Sequence, residues 1–388
     1  MSDNKVRPIA IYLPQFHPVA ENNEWWGKGF TEWRNVAKAK PLFKGHYQPH
    51  MPADFGYYDL RLAEVRQQQA DMAKQYGIYG FCYYHYWFNG RRILERPFQE
   101  VFESGEPDFP FMLCWANEHW TRTWEGNEKI MLLEQRHSDE DDLNHIKSLI
   151  PYFKDKRYIR VDDKPVIAIY NSVSIPAPGQ TIKIWREEAK KHGLELYICR
   201  FESFHYAGEQ LLKEAGFDAA IDFQPFGGIM ESFRKKIIAR MTKGVIRRAK
   251  YAFYKKVVNQ FSPGLYHKLY FKYWEEDRRR LDYNEYVEHA ISYMFPQYKW
   301  YPGITPGWDN TARKGERSFL LKNSTPEMYY KWFKSILQKF KPFSKNENFI
   351  FINAWNEWGE GNHLEPCEKW GSAYLEKTKQ VLDEAQKS

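Results

Sequence analysis

Cysteine is scarce in this 388-residue chain, which has only Cys82, Cys114, Cys199 and Cys367. No two stand at CxxC spacing, which excludes a zinc ribbon and a thioredoxin motif. Three lie inside apolar runs (Phe81-Cys82-Tyr83, Leu113-Cys114-Trp115, Ile198-Cys199-Arg200). A thiol there behaves as a small hydrophobe, so we read reduced core thiols and a cytoplasmic chain. No run of about 18 uncharged apolar residues exists, so no membrane-spanning helix is expected. The opening Met1–Pro8 segment lacks the apolar stretch of a signal peptide, and no secretory leader is expected. Glycine-rich phosphate loops, a Ser-His-Asp arrangement, internal repeats and low-complexity runs are missing as well.

What is abundant is aromatic surface: 15 Trp, 27 Tyr and 27 Phe, 18% of the chain. With 43% apolar residues, a large core is assured and disorder excluded. Aromatics at this density pack cores and also wall carbohydrate and nucleobase sites, so composition alone does not choose. Charge is uneven. Segment 231–280 holds fifteen Lys and Arg against four acids, a net +11 that leaves −4 for the remainder of the +7 chain.

Continuous apolar runs suited to strands covered on both faces occur at 9–14, 79–88, 111–116, 165–170, 195–201, 219–223, 302–306 and 349–354. Helical patterns intervene at 59–76, 139–153, 181–192, 326–340 and 371–386. Ser138 is placed to cap the second, and Pro326 sits just inside the start of the fourth. Eight strands each followed by a helix or longer excursion predict an α/β fold, a (β/α)8 TIM barrel over 1–388 as a single catalytic domain. The competitor is a doubly wound sheet. Its glycine fingerprint is missing, since the first run ends in Leu13-Pro14-Gln15-Phe16-His17. Two connections exceed ordinary loops: 15–58 after the first strand and 225–299 after the sixth, the latter a basic, helical insertion.

Barrel sites are built where strands end. The eight ends offer Tyr12, Gln15 and His17; Tyr84, His85, Tyr86 and Trp87; Trp115, Asn117, Glu118, His119 and Trp120; Tyr170 and Asn171; Arg200 and Glu202; Asp222 and Gln224; Trp308, Asp309 and Asn310; and Asn353, Trp355, Asn356, Glu357 and Glu360. Tryptophan beside carboxylate and amide suits a sugar, whose C–H faces stack on rings while its hydroxyls take bidentate acceptors. The sharpest element is Ala354-Trp355-Asn356-Glu357-Trp358-Gly359-Glu360-Gly361. Acids three residues apart share one face of a helical turn. Two close carboxyls do not ionise freely, so one stays protonated, dividing acid from base at a glycosidic bond. The plain alternative is a surface pair capping a helix; the flanking Trp355 and Trp358 speak against leaving it in water.

Other motifs have structural readings beside the functional ones. His85 is a packed core histidine or a substrate contact. His17 and His50 bind substrate or cap loops locally. Trp308-Asp309-Asn310 is a subsite wall or a turn with an Asx cap. A metal held by His85, Glu118 and His119 lacks ligand spacing, so no metal or other cofactor is expected. Asp139-Glu140-Asp141 has the Asp-x-Asp form of metal-dependent glycosyltransferases but reads as a helix start.

At this point the chain resembles the WbsX-like proteins of bacterial surface-polysaccharide clusters, related to glycoside hydrolase family 99. The resemblance rests on Ile11-Tyr12-Leu13-Pro14-Gln15-Phe16-His17, Gly29-Phe30-Thr31-Glu32-Trp33, Tyr47-Gln48-Pro49-His50, Gly80-Phe81-Cys82-Tyr83-Tyr84-His85-Tyr86-Trp87, Trp115-Ala116-Asn117-Glu118, Gly307-Trp308-Asp309-Asn310-Thr311 and Asn356-Glu357-Trp358-Gly359-Glu360-Gly361. It implies a (β/α)8 barrel and an endo-acting, retaining α-mannosidase chemistry in which the sugar's 2-hydroxyl attacks the anomeric carbon. It further implies Glu357 as the base for that hydroxyl and Glu360 as the acid/base at the leaving oxygen, in place of a carboxylate nucleophile. The sequence departs from family 99 in having Gly359 where a His is common.

The resulting expectation is a glycoside hydrolase acting on a bacterial surface polysaccharide or its lipid-linked precursor, in O-antigen or lipopolysaccharide metabolism. Glu357 and Glu360 are the catalytic pair. Tyr12, Gln15, His17, His50, Tyr84, His85, Trp87, Trp115, Asn117, Glu118, Glu202, Trp308, Asp309 and Asn356 are the substrate-binding set. A glycosyltransferase and a non-catalytic glycan-binding barrel are the alternatives. The basic segment, with Ile237, Ile238, Met241, Val245 and Ile246 among its cations, approximates an amphipathic helix. It fits peripheral contact with an anionic membrane at its inner face, or packing on the barrel. No nucleic-acid-binding motif accompanies the charge.

Overall fold

The computed structural model describes residues 6–122, 127–203, 207–242 and 279–387, with isolated positions at 253, 256 and 260. Eight parallel strands follow one another around a barrel: β1 (Arg7–Tyr12), β2 (Gly80–Phe88), β3 (Phe111–Trp115), β4 (Lys164–Ile169), β5 (Tyr197–Glu202), β6 (Ala219–Asp222), β7, and β8 (Phe349–Ile352). β7 is split at Pro302 into Trp300–Tyr301 and Gly303–Ile304. The first part pairs with β6 and the second with β8, so the cylinder closes across the proline. Pro302 donates nothing, but its carbonyl accepts from Phe351 N (2.9 Å), which keeps β8 in register. At Gly303 the strands approach so closely that a Cβ would overlap the carbonyl oxygen of Asp222.

The strands read as unbroken apolar runs because both faces are covered. All nine residues of β2 are buried. Cβ direction still alternates, and it decides the function of each position. Tyr83, His85 and Trp87 meet the helix layer through Phe98, His145 and Asp141. Tyr84 and Tyr86 face the open end of the barrel. Cys82, Cys114 and Cys199 are buried free thiols.

The helices around the barrel are α1 (Ala63–Gln75), α2 (Arg96–Ser104), α3 (Asp139–Phe153), α4 (Pro178–Lys191), α5 (Glu209–Ala215), α6 (Gly228–Thr242), α7 (Tyr283–Ser292), α8 (Pro326–Lys339) and α9 (Ala373–Lys387); short helices Ala20–Trp26, Trp33–Lys38 and Thr311–Lys314 lie in loops. Ser138 caps α3 by accepting from Asp141 N, and Thr325 caps α8 by accepting from Met328 N. The Asp-rich start of α3 therefore lies at a helix N-terminus, where acids favour the dipole. The basic excursion is described at its ends and at three isolated positions. α6 packs Ile229, Met230, Phe233 and Ile237 inward, with Phe233 against Tyr286 of α7. Arg247, Arg248 and Lys255, and with them most of the expected amphipathic helix, lie outside the described residues. No helix among the described residues is long and apolar enough to cross a membrane.

Candidate active site

The segment after β8 is what brings the acids together. Asn356–Glu357 pairs antiparallel with Asn362–His363 around a short 3-10 turn, Trp358–Glu360. The expected helical turn is thus a tight hairpin, reversed by Gly361 at φ 55°. Asn356 anchors it to the end of β1: its Oδ1 accepts from Leu13 N (2.7 Å) and its Nδ2 donates to Leu13 O (3.0 Å). Trp358 stacks on His363 at 3.7 Å and donates to Glu365 Oε2 (2.6 Å). Glu365 also accepts from Tyr58 and Gln69, and burial pushes its carboxyl up to about 7. These contacts leave the hairpin little freedom.

Glu357 and Glu360 converge on one guanidinium. Arg313 Nη2 donates to Glu357 Oε2 (2.9 Å), Nη1 contacts Glu360 Oε1 (2.7 Å), and Nε donates to Glu32 Oε1 (2.8 Å). Burial works against the charge of Arg313, but the three carboxylates hold it firmly protonated. The two acids differ in environment. Burial raises Glu357 and Arg313 pulls it back. For Glu360, burial and then the charge of Glu357 raise the carboxyl to about 8.

Both acids line a cavity of about 460 Å3 at the carboxyl ends of the strands. Tyr84, Tyr86, Tyr170, Phe226, Trp308 and Trp120 supply aromatic wall, and Gln15, Asn310 and Glu118 supply polar contacts. Helix Ala20–Trp26, from the long loop after β1, closes one side with Asn22 and Trp26.

Of the expected site residues, Gln15, Tyr84, Glu118, Trp308, Glu357 and Glu360 meet here. The others lie elsewhere, each for a physical reason. Tyr12 donates to Gln69 of α1 (2.6 Å). His17 is buried, which lowers it to about 4. His85 and Trp87 point outward and stack on His145 of α3, with His85 Nε2 3.0 Å from His145 Nε2. Trp115 is fully buried between His145 and Trp185. Asn117 braces the loop after β4 by accepting from Asn171 N (2.8 Å). Glu202 accepts from Gly208 N and Tyr298. Asp309 accepts from Thr311 N (3.0 Å), His46 (2.6 Å) and Gln48 (2.9 Å). His50 pairs with His363 (3.0 Å) in a separate recess. Among the described residues no group of three His, Cys, Asp or Glu is arranged to hold a metal ion. Glu32 and Arg313 were missed as site residues. Both stood in view, Glu32 inside Gly29-Phe30-Thr31-Glu32-Trp33 and Arg313 just past Trp308-Asp309-Asn310.

The profile of the family described as "Glycosyltransferase WbsX" matches residues 8–378. The chain belongs to the WbsX family. Two curated relatives, each named "Uncharacterized protein WxcX" and from Xanthomonas campestris pv. campestris strains ATCC 33913 and B100, are 36% identical over 380 residues, 97% of this chain. The chain spans about half the length of these relatives. Among solved structures, the GH99 endo-α-mannosidase of Bacteroides thetaiotaomicron in complex with bis-tris-propane superposes with a TM-score of 0.56 at 12% identity, covering 100% of this chain and 98% of that one. A "Glycoside hydrolase-like protein" gives 0.53 at 12% identity, covering 98% and 94%. These structures are alike in fold, and the WbsX member described here carries the TIM barrel they share.

Proposed function

We propose that this chain is a retaining, endo-acting glycoside hydrolase acting on a bacterial surface polysaccharide or its lipid-linked precursor, with Glu357 and Glu360 as the reacting pair. The observation that carries the reading is that both carboxyl groups share one guanidinium at an aromatic-walled cavity where the strands end. Glu357 takes the proton of the sugar's 2-hydroxyl while that oxygen bonds to C1. Glu360 gives its proton to the departing oxygen as the C1–O bond breaks. Water then opens the 1,2-anhydro sugar with the proton movements reversed, so configuration is retained. Tyr84, Trp308, Gln15 and Glu118 contact the sugars; the expected residues outside the cavity support this set. We read 1–388 as one catalytic barrel and 225–299 as its insertion, in a cytoplasmic protein working near the membrane.

The test is a mass-spectrometric screen of purified protein against bacterial surface polysaccharides and mannan oligosaccharides, with NMR of the first-formed anomer. New reducing ends of retained configuration, abolished in Glu360→Gln, are expected. The family's own description favours a second reading, a glycosyltransferase on the same cavity. Binding of nucleotide sugars by titration calorimetry, with no hydrolysis of any glycan, would favour it. Membrane contact through the basic segment is tested by flotation with anionic liposomes. Flotation that weakens with salt is expected, and it should fall when Arg247, Arg248, Lys255 and Lys256 are neutralised.

A further inference from the structure

We propose that Glu32 and Arg313 form a positioning pair, in which Glu32 fixes the guanidinium and the guanidinium aims one oxygen each of Glu357 and Glu360 into the cavity. The inference rests on the reading of Glu357 and Glu360 as the reacting pair. Each nitrogen of the Arg313 guanidinium meets one carboxyl: Nε meets Glu32, Nη2 meets Glu357 Oε2, and Nη1 meets Glu360 Oε1. Occupying Glu357 Oε2 and Glu360 Oε1 leaves the opposite oxygen of each carboxyl for a substrate proton. A planar fork does this with a geometry a lysine does not reproduce.

Three observations show that the arrangement is built rather than incidental. Glu32 is fully buried, yet its Oε2 finds no hydrogen-bond partner among the described residues. A buried carboxylate with an unsatisfied oxygen is costly, and such groups persist where they serve a site. Glu32 reaches Arg313 from the loop after β1, and Arg313 comes from the segment after β7, so three separate chain segments meet at one cation. Gly359, between the two acids, makes the room. A Cβ there would overlap Glu32 Oε1 and lie 2.8 Å from Arg313 Nε. An alanine at 359 would therefore displace the pair without changing a charge.

The other titratable groups around the acids are Tyr84 and Tyr86 from β2, Tyr170 past β4, Glu118 past β3 and Lys314 beside Arg313, with His119 and Arg317 on the same cavity wall. Of these, Tyr86 also feels the charge of Glu32. The charge of Glu32 raises both Glu357 and Glu360. Removing it while keeping the side-chain shape should lower both.

The experiment uses the full chain labelled with 13C at the glutamate δ-carbon. Glu360 is assigned by subtraction against Glu360→Gln, and the wild type, Glu32→Gln and Gly359→Ala are titrated without substrate. The expected result is a Glu360 midpoint lowered by about one pH unit or more in Glu32→Gln, and displaced in Gly359→Ala. On a glycan that the wild type hydrolyses, kcat should fall at least about tenfold in Glu32→Gln, with KM little changed and the alkaline limb of the pH–rate profile moved down. Folded Glu32→Gln and Gly359→Ala proteins with wild-type midpoints overturn the proposal, whatever the activity. If Glu360→Gln keeps full turnover, the assigned chemistry fails instead, while the titration still decides whether the pair positions these carboxyls.

Discussion

At the scale of single residues, the proposed chemistry needs two identical side chains to hold different protonation states. Glu360 is raised to about 8, by burial first and the Glu357 charge second, so it carries a proton at neutrality. Glu357 is also raised by burial, but Arg313 opposes the shift and favours its charged form. A general acid must be protonated to act, so activity should be lost as pH rises through the Glu360 value. A fall in kcat/KM above about pH 8 is expected, and a profile flat to pH 10 would contradict the assignment. Glu360→Gln should cost at least about a hundredfold in rate, the usual scale for removing a general acid. Glu357→Gln should cost a similar amount, and steady-state kinetics on the cleaved glycan measures both.

At the scale of elements, β2 separates what was legible from what was not. The apolar run 79–88 announced a strand, and its end announced site residues. It did not announce which of Tyr84, His85, Tyr86 and Trp87 look into the cavity. Alternation is readable in a sequence when one face is wet, and here both faces are buried. The odd positions meet α3 and the even ones meet the cavity. The same reason hid Trp115, whose neighbours are helical. Trp87→Phe should therefore act on stability. It removes the donor to Asp141 (3.0 and 3.1 Å), leaves that buried acid short of a partner, and should cost about 1–3 kcal/mol in chemical denaturation. Its KM should stay at the wild-type value. Tyr84→Ala should raise KM through a lost cavity wall, measured by steady-state kinetics on the folded fraction, on top of the stability cost of truncating a buried ring. Glu32 and Arg313 escaped notice for a different reason. They come together only when the loop after β1 folds over the segment after β7, and no local spacing records that meeting.

At the scale of the whole molecule, the barrel buries many titratable groups, and their shifts oppose one another. His17 and His50 are lowered to about 4, and His85 and His363 to about 3, in each case mainly by burial. Their folded values lie below the unfolded 6.5, so the unfolded chain binds more protons. The stability tied to them is complete above 6.5 and is lost as pH falls toward 4 and 3. Asp142, Glu365, Asp222 and Glu360 are raised to about 6, 7, 8 and 8, again by burial first. There the folded state binds more protons, and stability is lost as pH climbs from the ordinary carboxylate range through those values. The histidines thus govern the acid side and the carboxyls the alkaline side, with the two slopes cancelling at about pH 6. The melting temperature should peak there and decline toward both pH 4 and pH 9. The alkaline decline is the discriminating part, because a protein whose acids are all salt-bridged would hold its stability to pH 9. Thermal melts across that range, at constant ionic strength, check it. A melting temperature still rising at pH 8 would mean that water or counter-charges reach these carboxyls.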